Sequence, residues 1–295
     1  DVIRFTYAES MTDPANYVPL AQAAEEAGYD SFLVPDSIAY PRESDSRYPF
    51  NPDGSREFLE GKPFLDPFQL VAVLGTVTER IRFTTSVIKL PIRHPVLAAK
   101  EIASAAVLCG ERLDLGVGLS PWPDDFAITG TPWAGRGRRM DECIEVLRGL
   151  LSGDFYEHHG EAFDFPAIQI CPVPTRPVPI LVGGHSDAAL RRAARLDGWI
   201  HGGGDPSALP ELLERLRTFR AELGREHEEF GVHVISMDAY TPDGVQRLAD
   251  AGVTDVVVGF RWPYTTGPDT QPLTEKIDHL RRYADEVIAP VRSVA

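Results

Sequence analysis

The chain has 295 residues, of which 43% are hydrophobic, and its formal net charge at pH 7 is −15. This length is enough for one α/β barrel of about 250 residues or for two smaller domains. The negative charge excludes general binding to nucleic acid or to an anionic membrane, because both require a basic surface. Three widely spaced cysteines indicate neither a disulfide framework nor a metal site. With no apolar run of about 18 residues and no charged-then-apolar leader visible, we expect a cytoplasmic protein.

Short apolar runs alternate with amphipathic segments along the chain. Strands are predicted at residues 2–7, 31–34, 81–88, 113–117, 180–182, 198–200, 233–236 and 255–260. Helices are predicted at residues 14–27, 67–78, 95–108, 136–151, 206–223, 242–252 and 272–287, and a further helix opens at residues 186–187. This alternation predicts a closed (β/α)8 TIM barrel that spans residues 1–295 as a single domain. An open, doubly wound sheet is the alternative, but no GxGxxG motif follows the first strand.

Three segments interrupt the alternation. Residues 38–62 are polar and rich in proline, arginine and tyrosine, which is typical of a long functional loop. Residues 118–133 are predicted to be a loop, and the proline-rich residues 156–178 an irregular excursion on the barrel surface. His158-His159 lies in that excursion, where a solvated loop is expected more often than a pair of metal ligands.

Residues 179–200 read PILVGGHSDAALRRAARLDGWI and predict a strand, a turn with almost no side chains, a helix and the next strand. Backbone N–H groups in such a turn beside a helix N-terminus can bind phosphate, although Gly183-Gly184 can also be a simple tight turn. In a barrel the site lies at the carboxyl ends of the strands. Residues at the predicted strand ends are mostly small, and neither an HExxH nor a GxSxG motif is present. This pattern indicates a cofactor that carries its own chemistry.

Five motifs follow one another between residues 81 and 199. They are IRFTTSVIKLPIRHPVLAAKEIA (81–103), ERLDLGVG (111–118), DDFAITGTPWAGRGRRMDECIEVLR (124–148), PVP (172–174) and PILVGG…AALRRAARLDGW (179–199). The ordered set resembles the bacterial-luciferase-like monooxygenase superfamily, and within it the branch that uses the deazaflavin coenzyme F-420. The resemblance covers nearly the whole chain. It implies a TIM barrel with insertions, an oxidoreductase that acts on a small organic molecule, and a homodimer.

The resemblance also implies where the cofactor binds. Ser86-Val87 matches a bulge with a non-prolyl cis peptide that supports the tricyclic ring, and Gly183-Gly184 matches the loop that holds the cofactor phosphate. The residues expected at the cofactor are Ser86, Val87, Gly118, Ser120, Val182, Gly183, Gly184, His185 and Ser186.

Charged residues near these motifs receive weaker assignments. Asp125 matches an acidic position with a structural role, and His94 matches a position expected to cap or pack first and to contact substrate second. Some arginines are candidates for holding an anionic cofactor tail, with solvated or ion-paired side chains as the alternative. These are Arg93, Arg136, Arg138 and Arg139.

The chain departs from the family at the end of its second strand. Many relatives that use F-420 place a histidine directly after an aspartate there, where it can act as a base, whereas this chain has Asp36-Ser37. Serine has no proton affinity near neutral pH, so the role passes to Asp36 or His201, or no strong base is needed. The catalytic candidates are therefore Asp36, Ser37 and His201, and the departure favours reduction or monooxygenation over alcohol oxidation.

The resemblance favours coenzyme F-420 as the cofactor and leaves FMN as the alternative, because the same scaffold holds both. The loops at residues 38–62 and 262–271 are expected to line the entrance, and their aromatic residues suggest an apolar or aromatic substrate contacted by Tyr40 and Trp262. Alternatively, these aromatics pack the loops onto the barrel or form a dimer contact. A barrel that binds a cofactor without chemistry is a second class of function. A metal-dependent hydrolase is disfavoured, because no histidines follow successive strands at ligand spacing.

Overall fold

Parallel strands close into a barrel in the computed structural model, which describes residues 3–294. The strands are β1 (Arg4–Ala8), β2 (Ser31–Val34), β3 (Arg82–Thr85), β4 (Ile88–Lys89), β5 (Leu113–Gly118), β6 (Tyr156–His159), β7 (Asp164–Ile168), β8 (Ile180–Gly183), β9 (Gly198–Ile200), β10 (Gly231–Ile235) and β11 (Asp255–Val258). The helices are α1 (Tyr17–Ala27), α2 (Pro67–Thr76), α3 (Pro95–Leu108), α4 (Pro123–Ile128), α5 (Arg136–Leu151), α6 (Asp187–Ala194), α7 (Leu209–Glu222), α8 (Pro242–Asp250), α9 (Leu273–Tyr283) and α10 (Ala289–Val294). Val2, the first residue of the first predicted strand, lies outside the described residues.

Strand pairing closes the sheet on itself. The order runs β1-β2-β3-β5-β8-β9-β10-β11, and β11 pairs back onto β1 from Arg4 opposite Asp255 to Tyr7 opposite Val258. The short β4 continues the third barrel position and pairs with the end of β5. The predicted (β/α)8 barrel is therefore confirmed, and the alternative of an open, doubly wound sheet is wrong.

Large aromatic side chains fill the core, and Phe5, Phe32, Phe83 and Trp199 are completely buried. Aromatic side chains of this size each remove about 150–250 Å² from water, so they dominate the packing energy of the core. Helix starts follow the capping residues that the sequence indicates. The Asp66 carboxylate, for example, accepts hydrogen bonds from the first backbone N–H groups of α2. None of the helices within residues 3–294 has the length and apolar composition that crossing a membrane requires.

The strand predicted at residues 81–88 is two strands, because Ser86 and Val87 leave the sheet between β3 and β4. The Ser86–Val87 peptide is cis, as the resemblance implies. The backbone N–H of Ser86 still donates to the Val34 carbonyl at 2.9 Å. The interruption therefore lies at the carboxyl end of the barrel, where β2, β3 and β5 meet.

Two predicted loops contain regular structure. Residues 118–133 include the short helix α4, so their interpretation as a loop is wrong in part. Residues 156–178 include the antiparallel hairpin β6–β7. The expectation that both histidines of that segment are solvated is wrong for His158, which is 5% exposed and bonded to the Tyr156 hydroxyl and the Glu142 carboxylate. Glu142 belongs to α5, and a contact with another element is not visible in the local sequence.

Candidate active site

A bulge formed by Ser86 and Val87 lies against two glycines at neighbouring strand ends. A Cβ atom on Gly118 would lie 2.7 Å from Val87 Cγ2, and a Cβ atom on Gly183 would lie 3.0 Å from Val87 Cγ1. Real Cβ atoms essentially never lie as close as the first distance, and the second is tighter than most real contacts. Glycine at both positions therefore lets β5 and β8 approach the bulge without displacing Val87. Ser86 and Val87 are half-buried. Gly118 and Gly183 thus add no side chain beside Val87, and we call this surface the glycine cradle.

The turn before α6 provides backbone donors beside this cradle. Gly184 has a φ of +118°, and a Cβ atom there would lie 2.9 Å from Ala189 Cβ, so glycine is required at this position. The Ser186 hydroxyl caps the helix by accepting from the Ala189 N–H at 3.2 Å. No described residue accepts a hydrogen bond from the N–H groups of residues 184–188. Free N–H groups at a helix N-terminus are a suitable site for a phosphate.

His185 belongs to this turn, and its ring stacks on the ring of His201. The two ring centroids lie 4.8 Å apart, and the ring planes differ by 11°. His201 Nδ1 lies 3.1 Å from the Ile235 carbonyl, which can only accept, so Nδ1 carries the proton and Nε2 is an acceptor. His201 Nε2 is buried and has no partner within residues 3–294. Burial, and then the neighbouring His185, lower the pKa of His201 to about 4. A neutral His201 is better suited to accepting a hydrogen bond than to serving as a strong base.

Asp36 and Ser37 follow β2 and have different surroundings. The Asp36 carboxylate accepts from the Lys89 N–H at 2.9 Å and from the Arg93 guanidinium at 2.8 Å, and its side chain is 1% exposed. One oxygen is therefore bonded to β4 and the other to the segment before α3, which favours a positioning role for Asp36 over the role of base. Ser37 is half-buried and lines a cavity at the barrel mouth.

A second buried ion pair holds the start of α4. Lys89 Nζ lies 2.7 Å from Asp125 Oδ2, and the Ser120 hydroxyl donates to the same oxygen at 2.6 Å. The Ser120 hydroxyl also accepts from the Trp122 N–H at 3.0 Å. This geometry agrees with the structural role implied for Asp125 and leaves the Ser120 hydroxyl engaged within the protein. Val182, another residue expected at the cofactor, is completely buried in the barrel wall.

The remaining charged candidates contact residues outside the turn before α6. His94 caps α3 through the Val96 N–H at 3.3 Å, as the resemblance implies. The other arginines pack on aromatic rings or pair at the surface, which favours the structural alternative for them. Arg136 lies over Trp133, Arg139 lies over Phe163, and exposed Arg138 approaches Glu161 at 3.8 Å.

Aromatic side chains join the loops across the barrel mouth. Tyr48 stacks on Trp122 at 5.7 Å and meets the edges of Phe58 and Tyr264 at 5.2 and 5.3 Å. These contacts join the loops at residues 38–62 and 262–271, and they agree with the alternative in which the aromatics pack the loops onto the barrel. Trp262 is 60% exposed and contacts Tyr264.

The cavity under these loops has a volume of about 120 Å³. It is lined by Ser37, Ile38, Ala39, Tyr40, Pro41, Arg56, Leu59, Lys62, Phe64, Trp122, Asp124 and Asp125. Among these lining residues, Tyr40 is predicted from the sequence as a substrate contact. Arg56 and Lys62 are not predicted, because a charged residue in a polar segment carries no local signal of burial. Residues 3–294 contain no group of three metal-ligating side chains.

A closed barrel with a glycine cradle and free backbone donors at its mouth has the architecture of enzymes that work through an organic cofactor. Residues 4–282 match the model of the luciferase-like monooxygenase family. The chain therefore belongs to this family, whose members are F-420- or flavin-dependent oxidoreductases and monooxygenases, and the resemblance seen in its motifs is confirmed.

The chain is also similar to individual proteins. An uncharacterized protein of Mycobacterium tuberculosis is 60% identical over 289 residues, which are 98% of this chain and 100% of that protein. An F-420-dependent glucose-6-phosphate dehydrogenase of Gordonia bronchialis is 25% identical over 99% of this chain and 81% of its own length. The fold is shared with the coenzyme F-420-dependent tetrahydromethanopterin reductase of Methanopyrus kandleri, at a TM-score of 0.72, 16% identity and coverage of 99% of each chain.

Proposed function

We propose that the chain is an F-420-dependent oxidoreductase that transfers hydride to or from a small, apolar or aromatic organic substrate, with reduction as the favoured direction. The observation that carries this proposal is the glycine cradle around Val87, which lies next to the free N–H groups of residues 184–188. A flat ring needs a surface without side chains, and a phosphate-bearing tail needs donors at one end of that surface.

Each part of this surface has a role in binding. Gly118 and Gly183 leave the space beside Val87 in which a tricyclic ring fits. The N–H groups of residues 184–188 would donate to the phosphate, and the unpartnered His201 Nε2 would accept from a hydroxyl or ring N–H of the cofactor. When bound, the deazaflavin supplies two-electron hydride chemistry.

The acid–base groups favour reduction. Ser37 replaces the expected base, Asp36 is held by Arg93, and burial lowers the pKa of His201 to about 4. Oxidising an alcohol requires a group that takes up the hydroxyl proton, whereas a reduction can take its proton from water or a weak acid. We therefore place the chain on the reducing side of the family.

An FMN-dependent monooxygenase is the alternative, because the matching family model is that of monooxygenases. FMN also combines a tricyclic ring with a phosphate-bearing tail, so the same cradle and turn can hold it. The two cofactors differ in chemistry, since FMN permits oxygen activation and the deazaflavin is mainly a hydride carrier.

Parallel fluorescence titrations of the purified protein with oxidised F-420 and with FMN test the proposal. We expect micromolar or tighter binding of F-420 and weak binding of FMN. Gly184→Ala should lower F-420 affinity, because it disturbs the donor turn. Gly224→Ala is the matched control, since Gly224 also has a positive φ of +67° but has open space around it after α7. Tight binding of FMN alone would move the chain to the monooxygenase alternative, and binding of neither cofactor would refute the enzyme proposal.

We also propose that the chain forms a homodimer through its first helices. Val73 on α2 and Leu97 and Leu108 on α3 are 51%, 66% and 58% exposed, and a dimer contact through these two helices would bury them. Light scattering of the purified protein should give twice the mass of one chain, and Leu97→Glu should yield the monomer. A wild-type monomer at micromolar concentration would contradict this proposal.

A further inference from the structure

The cavity at the barrel mouth lies between the end of β2 and the start of α4. Ser37, the residue at the position of the expected family base, forms part of its wall. Apolar and aromatic side chains form most of the remaining lining, including Tyr40, Leu59, Phe64 and Trp122. A small organic molecule bound here would therefore lie next to the residue at which family chemistry is expected.

Two cations face the same cavity. Arg56 and Lys62 are only 8% and 9% exposed. Arg56 donates one hydrogen bond to the Pro41 carbonyl at 3.0 Å, and its guanidinium lies 4.7 Å from the centre of the Tyr40 ring. Lys62 Nζ donates to the Gly267 carbonyl. Within residues 3–294, neither Arg56 nor Lys62 forms an ion pair at 4.0 Å or less. Each side chain donates one hydrogen bond there, so each cation keeps unused donors.

Burying a charge without a counter-ion costs free energy. Burial, reinforced by Arg261, lowers the pKa of Lys62, while Asp269 acts in the opposite direction. Of the two acidic residues of the lining, Asp125 is neutralised by Lys89, whereas Asp124 keeps its charge. The Asp124 carboxylate accepts hydrogen bonds from two serine hydroxyls, and against the opposing effect of burial these bonds together with the more distant Arg56 lower its pKa. The cavity thus presents two cations, Arg56 and Lys62, against one charged carboxylate, Asp124, which forms no ion pair at 4.0 Å or less with any described residue. In a chain of net charge −15, this excess of positive charge is local.

We propose that this cavity binds the carboxylate of an organic acid whose apolar or aromatic body lies against Tyr40, Phe64 and Trp122. The planar guanidinium of Arg56 matches both oxygens of a carboxylate, and the Lys62 ammonium adds a point charge. The inference rests on the proposed function, because it narrows the substrate of that site to acids. Carboxylates can also come from an acidic tail of the cofactor, and the test separates the two sources.

Calorimetric titration with matched pairs of ligands tests the site without any cofactor. The probes are benzoate, phenylacetate and 3-phenylpropionate, each compared with its neutral amide. For at least one pair we expect the acid to bind at least about tenfold more tightly than the amide, as charge-assisted pairing requires. Arg56→Gln and Lys62→Gln should each reduce that preference to about threefold or less. Arg42→Gln makes the same charge change at an exposed position of the same loop and should retain the preference.

Three outcomes would overturn the proposal. They are equal binding of acid and amide in every wild-type pair, a preference that survives in both Arg56→Gln and Lys62→Gln, and an equal loss of preference in Arg42→Gln. Arg56→Lys covers the case in which Arg56→Gln fails to fold. It keeps the charge but loses the planar donors, so it should lower the preference without abolishing it.

Titration of the same variants with F-420 distinguishes the two sources of the carboxylate. Unchanged F-420 affinity together with a lost preference for acids supports a substrate site. Weaker F-420 affinity in Arg56→Gln would assign the cations to the cofactor tail and overturn the inference. If the wild-type protein prefers acids but binds neither F-420 nor FMN, the acid site stands and the proposed function fails.

Discussion

Acidification should destabilise the protein through His201. Its ring is 2% exposed, and its pKa falls from the ordinary 6.5 to about 4 because burial disfavours the imidazolium. The unfolded chain therefore takes up a proton at His201 near pH 6.5, whereas the folded chain takes it up only near pH 4. The contribution of neutral His201 to stability is complete above pH 6.5 and is lost as the pH falls toward 4. From these two pKa values, the free energy of unfolding is expected to be about 2 kcal/mol lower at pH 5 than at pH 8.

Urea unfolding at pH 8 and pH 5 measures this effect, followed by circular dichroism and tryptophan fluorescence to check that the transitions coincide. The free energy of unfolding of His201→Gln should fall less between the two pH values than that of the wild type, by about 2 kcal/mol. His227→Gln is the control, because the His227 side chain is 95% exposed. If His201→Gln and the wild type lose the same free energy between pH 8 and pH 5, the assignment of a neutral, buried His201 is refuted.

Three further predictions follow from buried contacts. Lys89→Met leaves the Asp125 carboxylate buried without its cation, so urea unfolding should show that the free energy of unfolding falls by about 3–5 kcal/mol. Arg80→Met removes an exposed cation and should leave the urea midpoint unchanged. Gly116→Ala places a Cβ atom 1.9 Å from a carbonyl oxygen of β3, so the variant should unfold at lower urea concentration or fail to accumulate as folded protein; a wild-type midpoint would contradict the barrel packing. A thiol reagent should modify exposed Cys171 rapidly and the two buried cysteines only in urea, and three fast thiols in the native protein would contradict their burial.

Much of the fold can be predicted from the sequence because its signals are local. Each element is specified by its own residues: apolar runs of four to six residues mark strands, and capping residues before proline and glycine after the last turn mark helix ends. The helix α5, for example, has the bounds that the pattern predicts. The order of motifs identifies the family, and the Gly183-Gly184 turn is visible as a place without side chains. Closure of the barrel also follows, because eight strand–helix units without a dinucleotide fingerprint favour a barrel over an open sheet.

The candidate site is only partly visible in the sequence. Asp36 follows β2, as the sequence predicts. Its ion pair with Arg93 cannot be predicted from the sequence, because Arg93 lies 57 residues away in the chain. His158 is in a polar segment and is nevertheless buried against α5. The hairpin β6–β7 and the helix α4 are missed because they are short, and short elements depend on tertiary contacts more than on their own propensity.

The sequence by itself determines the alternation of strands and helices, the position of the glycine turn and the absence of a histidine after Asp36. Only the tertiary structure decides which charged groups are neutralised, that Arg56 and Lys62 are buried around one cavity, and that His201 is neutral. The physical reason is that the state of a charged or polar group depends on its distance to partners from other strands and on its exclusion from water. Both are set when the barrel closes, and neither is encoded in the residues next to that group along the chain.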